Sequence, residues 1–141
     1  MADRYLALKT VMMPRDTNPQ GTIFGGVLLS QIDQAGAIGA RWEISRRGVA
    51  VPVLVTVAMN RVEFHQPVLV GDVVSYWTHL LRIGRTSITM HVDVEVERDG
   101  QIVKVTEADV VYVAIAETAE GRRPVPIFPQ PANDDSGRTA T

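Results

Sequence analysis

The sequence predicts a single α+β domain in which one long helix packs against an antiparallel sheet. Three observations carry this: 141 residues are the length of one domain, the stretch from Ile23 to about Arg46 contains no proline, and nearly seventy residues after Gly48 run in β-like segments. A chain this short is excluded from (β/α)₈ barrels and from full dinucleotide-binding enzymes.

The elements follow in order. Leu6 to Met13 reads as a first strand, ended by Pro14 and the turn-rich run Arg15-Asp16-Thr17-Asn18-Pro19-Gln20-Gly21. The helix comes next, with Thr22 as its expected cap. Phe24, Val27, Leu28, Leu29, Ile32, Ala35, Ile38 and Trp42 leave it only a narrow polar stripe, so other elements should wrap it. Gly25, Gly26, Gly36 and Gly39 each cost about 1 kcal/mol of helix propensity against alanine, which calls for a close neighbour in compensation. Ala50 to Asn60 and Val73 to Arg82 read as strands joined by Gln66 to Asp72, with Asp72 forming the turn after Gly71. In the next strand Ile88, Met90, Val92, Val94 and Val96 face one way and the polar residues between them the other. Asp99-Gly100 marks a hairpin and Ile102 to Ala116 the last strand, giving five strands. Links this short require antiparallel pairing. The domain is therefore expected over 1–118, and 119–141 is expected to be a Pro-rich, partly disordered tail, above all in its last ten residues.

Composition narrows the function. A formal charge of −2 argues against a nucleic-acid partner, because that grip needs clustered basic residues. Twelve arginines against two lysines suit bidentate phosphate contacts, although base composition of the gene explains the bias equally well. The absence of cysteine removes disulfides, thiolate metal sites and cysteine nucleophiles. With no signal-peptide start and no apolar run long enough to span a bilayer, the expectation is a soluble, cytoplasmic protein without a membrane partner. Its small core leaves little room for a private cleft, so a site at a subunit interface is a question to test.

The sequence holds no phosphate loop, dinucleotide fingerprint, zinc-protease helix or nucleophile elbow. His65, His79 and His91 lack ligand-like spacing, so no metal is expected. The informative segment is DTNPQGTIFGGVLLSQIDQAG, Asp16 to Gly36. Asp33 lies almost two helical turns after Gly26, on the same face. A carboxylate in so apolar a helix must be hydrogen-bonded by a packed neighbour, solvated in a cleft, or functional. The first helical N–H groups, at Phe24, Gly25 and Gly26, have no internal partners and can hold an oxyanion, although tight helix packing accounts for the two glycines equally well. Asn18 can donate its amide to a carbonyl or simply form the turn before Pro19.

These motifs together carry a resemblance. The run N-P-x-G-x-I-F-G-G-x-L-L-x-x-x-D from Asn18 to Asp33, F-x-x-P-V-x-x-G-D-x-V from Phe64 to Val74, and G-R-T-S from Gly84 to Ser87 resemble the hotdog-fold acyl-CoA thioesterases, most of all their YciA-like and brain acyl-CoA hydrolase group. The match covers roughly residues 7 to 116 and implies the hotdog fold, a long central helix wrapped by a curved five-stranded antiparallel sheet. It also implies hydrolysis of acyl-CoA to a free acid and CoA. In that reading Asp33 is the general base or nucleophile, Asn18 comes from the partner subunit, and Gly26 with Gly25 forms the oxyanion site. Arg82, Gly84, Arg85, Thr86 and Ser87 are implied to bind CoA, which is substrate rather than cofactor; solvated arginines at a hairpin are the plainer reading of that turn. An obligate homodimer, with a trimer of dimers as a further step, is implied as well. Phe24 stands where many relatives carry histidine. His65-Gln66 departs from the basic residue often found before this proline, which weakens any phosphate role for that loop. Two other readings stay open: a hydroxyacyl-thioester dehydratase, which would need a histidine with a carboxylate, and a non-catalytic acyl-CoA sensor.

Overall fold

In a computed structural model describing residues 3–129, the chain runs β1 (Tyr5–Val11), a 3-10 turn (Pro14–Asp16), α1 (Gly25–Ser45), β2 (Val53–Phe64), β3 (Val73–Ile83), β4 (Ser87–Arg98), β5 (Gln101–Thr118) and β6 (Gly121–Pro124). The sheet is antiparallel in the order β1-β3-β4-β5-β2. Its inner face is built by alternation: Val74, Tyr76 and Thr78 from β3, Ile88, Met90, Val92, Val94 and Val96 from β4, and Ala108, Val110, Tyr112 and Ala114 from β5 are all buried. The Asp99-Gly100 hairpin forms where expected. Both residues have positive φ, 52° and 75°, as a tight two-residue reversal between right-twisted strands requires.

The sheet has a sixth strand that composition conceals. β6 takes the edge of β5 where β4 stops, pairing Ile115 with Pro124 just beyond the Ser87–Val113 pair. The Val125 N–H then bonds Ala114 C=O at 2.9 Å, and the Ile127 N–H bonds Arg85 C=O at 2.9 Å. Ile127 is 2% exposed and belongs to the core, so the packed body continues past the boundary expected at 118. Prolines are tolerated on an edge because they need donate nothing there. The remainder of the expected tail, 130–141, lies outside the described residues.

The helix also starts later than expected. Phe24, not Thr22, is the N-cap, and no side chain caps the first turn. Residues 22–24 stay outside the helix because the chain is already committed: Ile23 N–H bonds Val68 C=O at 2.8 Å and Phe24 N–H bonds Asp16 C=O at 2.8 Å. The Thr22 hydroxyl instead accepts from Asn18 Nδ2 at 2.8 Å.

Once formed, α1 buries Leu28, Ile32, Ala35, Gly36, Gly39, Ala40, Glu43 and Ile44 against the sheet. Ser30, Gln34, Ile38, Arg41 and Ser45 form the exposed stripe. Two glycines explain the closeness of the contact. A Cβ at Gly36 would overlap the Tyr112 hydroxyl; at Gly39 it would overlap the Thr78 hydroxyl and approach Thr78 Cβ to 2.7 Å. Near the end of β2, Arg61 adopts φ 54° within an irregularity between Asn60 and Glu63. Such a bulge bends the strand, and here it carries Phe64 to the start of α1.

The outer face of the sheet gathers charge. His91 on β4 binds Asp109 through Nδ1 at 2.6 Å and Asp93 through Nε2 at 2.9 Å, while Lys104 Nζ lies 3.1 Å from Asp93. Hydrogen bonding to Asp93, against the cost of burial, raises His91 to about 9. Asp93 is lowered to about 2 because hydrogen bonds and charge from His91 and Lys104 outweigh burial. Burial, reinforced by the neighbouring His91, lowers His79.

Two outcomes follow from this packing. Gly39→Ala should destabilise by about 1–3 kcal/mol through overpacking against Thr78, read as a lower denaturant midpoint at fixed protein concentration. His91 gains its proton affinity on folding, so its stabilisation is complete below about 6.5 and is lost as pH rises through about 9. The stability gap between the wild type and His91→Gln should be largest near about pH 6 and close toward pH 9; a gap that widened with pH would contradict the charged state of His91.

Candidate functional site

The candidate groups lie along α1. At its start the N–H groups of Gly25 and Gly26 have no acceptor among the described residues, since the positions four earlier lie outside the helix, whereas the Phe24 N–H, expected beside them, is taken by Asp16 C=O at 2.8 Å. They carry the positive end of the helix dipole. Two aromatic rings stand beside this pair. Phe24 lies against Gly26, with ring atoms 2.5 Å from where a Cβ would be, and Phe64 lies against Gly25 at 3.4 Å. A larger side chain at 26 would displace the ring, so the glycine has a local purpose.

Asp33 is half-buried, and its partner is Thr56 on β2, whose hydroxyl donates to Oδ1 at 2.6 Å. The hydrogen-bonded alternative for Asp33 is thus realised at one carboxylate oxygen, and Oδ2 has no partner among the described residues. Tyr112 bonds the main chain of the same residue, its hydroxyl donating to Asp33 C=O at 2.7 Å through the gap left by Gly36. Burial and the nearby Asp33 raise the Tyr112 hydroxyl well above its ordinary value, so it remains a donor. Sequence reasoning missed Thr56. The only signal was one hydroxyl within the apolar run Val53 to Met59, and its partner lies 23 positions away.

Asn18 closes its own loop. Oδ1 accepts from Gln20 N–H at 3.0 Å and Thr22 N–H at 3.1 Å, and Nδ2 donates to the Thr22 hydroxyl. The turn-forming reading is therefore satisfied, with one amide hydrogen of Nδ2 left for a ligand. Asp72 is structural as well: its carboxylate accepts from Leu69 N–H at 2.9 Å and from Arg98 at 2.6 Å, and these bonds hold its pKa below the usual range despite burial.

The turn at 84–87 is closed by Gly84 N–H to Ser87 C=O at 2.7 Å. Arg82 and Arg85 are exposed, and the N–H groups of Arg85 and Thr86 have no backbone acceptor among the described residues. Thr56 pairs with Tyr112 and Tyr112 with Ile88, so the Asp33–Thr56 contact and this turn share one end of the sheet. The helix start does not. Gly26 is separated from Asp33 by about 10 Å along the axis, at about 1.5 Å per residue. The loop beside it lies at the far end of β3, about 30 Å of strand from the turn.

A cleft of about 330 Å³ opens at the helix start between Ile23, Leu28, Phe64, Pro67 and Val68, with Gly25, His65 and Gln66 as its polar members. His65 Nε2 lies 2.7 Å from Glu107, whose other oxygen lies 3.4 Å from His91. The fold thus gathers histidines and carboxylates that their spacing in sequence kept apart, and His91, Asp93 and Glu107 could together ligate a metal ion. Lys104 and the His91 imidazolium already supply positive charge to those carboxylates. Among the described residues no helix is long and apolar enough to cross a membrane.

Known proteins resemble the chain in sequence and in fold. A family model described as the thioesterase superfamily matches residues 20–103. The acyl-CoA thioester hydrolase YciA of Salmonella typhimurium is 42% identical over 127 residues, covering 86% of this chain and 90% of that protein. A hexameric hotdog fold thioesterase of Campylobacter jejuni superposes with a TM-score of 0.71 at 43% identity, over 85% of this chain and 89% of that one. HI0827, a hexameric broad-specificity acyl-coenzyme A thioesterase solved as an aspartate-to-alanine mutant, gives 0.75 at 38% identity, over 88% and 86%. By sequence and by superposition, the chain belongs to the hotdog-fold, YciA-like acyl-CoA thioesterases of the thioesterase superfamily.

Proposed function

We infer that the protein hydrolyses acyl-CoA thioesters at a site completed by a second copy of the chain. The observation that carries this is the division of α1: an unsatisfied N–H pair at Gly25 and Gly26, and a carboxylate held by Thr56 about 10 Å further along. A thioester carbonyl is too small to meet both in one protomer. The carbon under attack and the oxygen being stabilised are bonded neighbours, and each needs its partner within about 3 Å. Two helices related by a two-fold axis remove the mismatch, with Asp33 of one protomer facing Gly26 and Asn18 of the other. The half-exposed Phe24 and Phe64 and the exposed Val53 and Val57 on edge strand β2 give such a pairing apolar surface to cover. The relatives whose structures are hexamers support assembly beyond the dimer.

In this site Asp33 takes a proton from water as its oxygen attacks the carbonyl carbon. The negative charge passes to the carbonyl oxygen beside the Gly25 and Gly26 N–H groups, and the C–S bond breaks as the carbonyl re-forms. The acid and the thiolate leave, and the proton held by Asp33 returns to product or solvent. Thiols ordinarily ionise near about 8.5, so the leaving group needs no strong acid behind it. Thr56, with its hydroxyl on one carboxylate oxygen, directs the other at the water. The exposed guanidinium of Arg85 and the free amides of the turn suit the phosphates of CoA, on the same end of the sheet as Asp33.

Asp33→Asn should retain fold and oligomer and lose about 10²- to 10⁴-fold in free-thiol release from acyl-CoA. Mixing it with Asn18→Ala after joint refolding should return activity to about a quarter of wild type, because half the dimers then carry one intact site; no recovery would place both residues in a single protomer. Arg85→Ala should raise the KM for acyl-CoA about tenfold at unchanged melting temperature; an unchanged KM would remove the turn from CoA binding. Enoyl product without free CoA would favour a dehydratase, and no turnover of any thioester a sensor.

A further inference from the structure

The cleft at the helix start holds a polar group that hydrolysis does not use. The geometry points to His65 as a specificity-determining residue whose ring, fixed by Glu107, hydrogen-bonds an amide of the pantetheine arm or a hydroxyl on the acyl chain. This rests on the thioesterase reading and deepens it.

The case starts from the environment. Apart from His65 and Gln66, every side chain around the cleft is apolar. A polar side chain on such a wall gives orientation and selectivity rather than bulk affinity. His65 is also anchored. Its backbone N–H bonds Val105 C=O at 2.8 Å, which seats the residue against the start of β5, and its Nε2 meets Glu107 at 2.7 Å with Glu63 3.7 Å away. Glu107 is held in turn by Lys104 at 3.5 Å. Hydrogen bonding to His65, together with the charges of Lys104 and His91, lowers the Glu107 pKa, so the carboxylate remains an acceptor.

With Nε2 committed to that carboxylate, Nδ1 is the polar atom of the ring left without a partner among the described residues. A secondary amide and a hydroxyl each offer both a donor and an acceptor, so either can answer Nδ1. An acyl-CoA has such a group in two places, the amides of the pantetheine arm and a hydroxyl where the acyl chain is oxidised. The same ring would serve either, and substrate choice separates them.

His65→Leu, His65→Asn and His65→Gln divide the ring into its parts. Asn keeps a polar atom near the position of Nδ1, and Gln keeps one near Nε2. With butanoyl-, octanoyl- and 3-hydroxybutanoyl-CoA as substrates, His65→Leu should lower kcat/KM about 3- to 10-fold, mostly through KM, in protein that remains folded. His65→Asn should recover part of the loss and His65→Gln should not. A loss shared by all three substrates assigns the contact to the pantetheine arm; a loss confined to the hydroxylated substrate assigns it to the acyl chain. If all three variants keep wild-type kcat/KM on every thioester, or if Gln rescues and Asn does not, the proposal is overturned. Failure of the wild type to hydrolyse any of the three would instead overturn the thioesterase reading, which keeps the two failures distinct.

Discussion

The structure depends on how closely one helix can be pressed onto one sheet. Gly36 and Gly39 bring the axis of α1 against β3 and β5, and Tyr112 enters the space beside Gly36 to bond the Asp33 carbonyl. That bond fixes the helix along its axis and in rotation, and so places the Asp33 side chain at Thr56. A shift of a single residue along the helix would turn Asp33 by about 100° and break both bonds. The glycines that weaken the helix as an isolated segment are what allow it to be positioned by tertiary contact.

Much of this was legible in the sequence, for identifiable reasons. The alternation in β4, the Asp99-Gly100 reversal and the proline-free helix are local patterns, and each is found close to where it was expected. Asp33 stood out because a carboxylate on an apolar helix needs a reason. What could not be read is what depends on register. Thr56 meets Asp33, and His65 meets Glu107, only because β2 and β5 pair with particular offsets interrupted by bulges. The helix start was misplaced for a related reason: Thr22 is a good cap in isolation, but a long-range bond from Ile23 to Val68 outweighs it. Composition likewise hid β6, whose Gly-Arg-Arg-Pro run at the start of a Pro-rich stretch resembles a tail until the free edge of β5 is known.

The site reverses the usual relation between size and completeness. The Asp33 and Thr56 contact shares one end of the sheet with the Gly84–Ser87 turn, while the unsatisfied amides and the cleft lie toward the other. On the proposed reading each end carries part of the mechanism, and a two-fold axis would supply the remainder without lengthening the chain and give two sites per dimer.

The strand order also governs how the protein is made. β5, the last long strand to be synthesised, lies between β4 and β2, and the N–H of Ile127 finishes the turn at Arg85 from 42 positions downstream. A chain emerging from the ribosome therefore has its helix, β2 and β4 before it has the strand that joins them. Until then the facing edges of β2 and β4 and the part of α1 that packs on β5 are uncovered together, the condition in which nascent chains associate wrongly. Vectorial synthesis thus leaves this chain exposed until β5, and after it β6 and Ile127, have cleared the exit tunnel, and a stop before β5 leaves β2 with no strand to pair with.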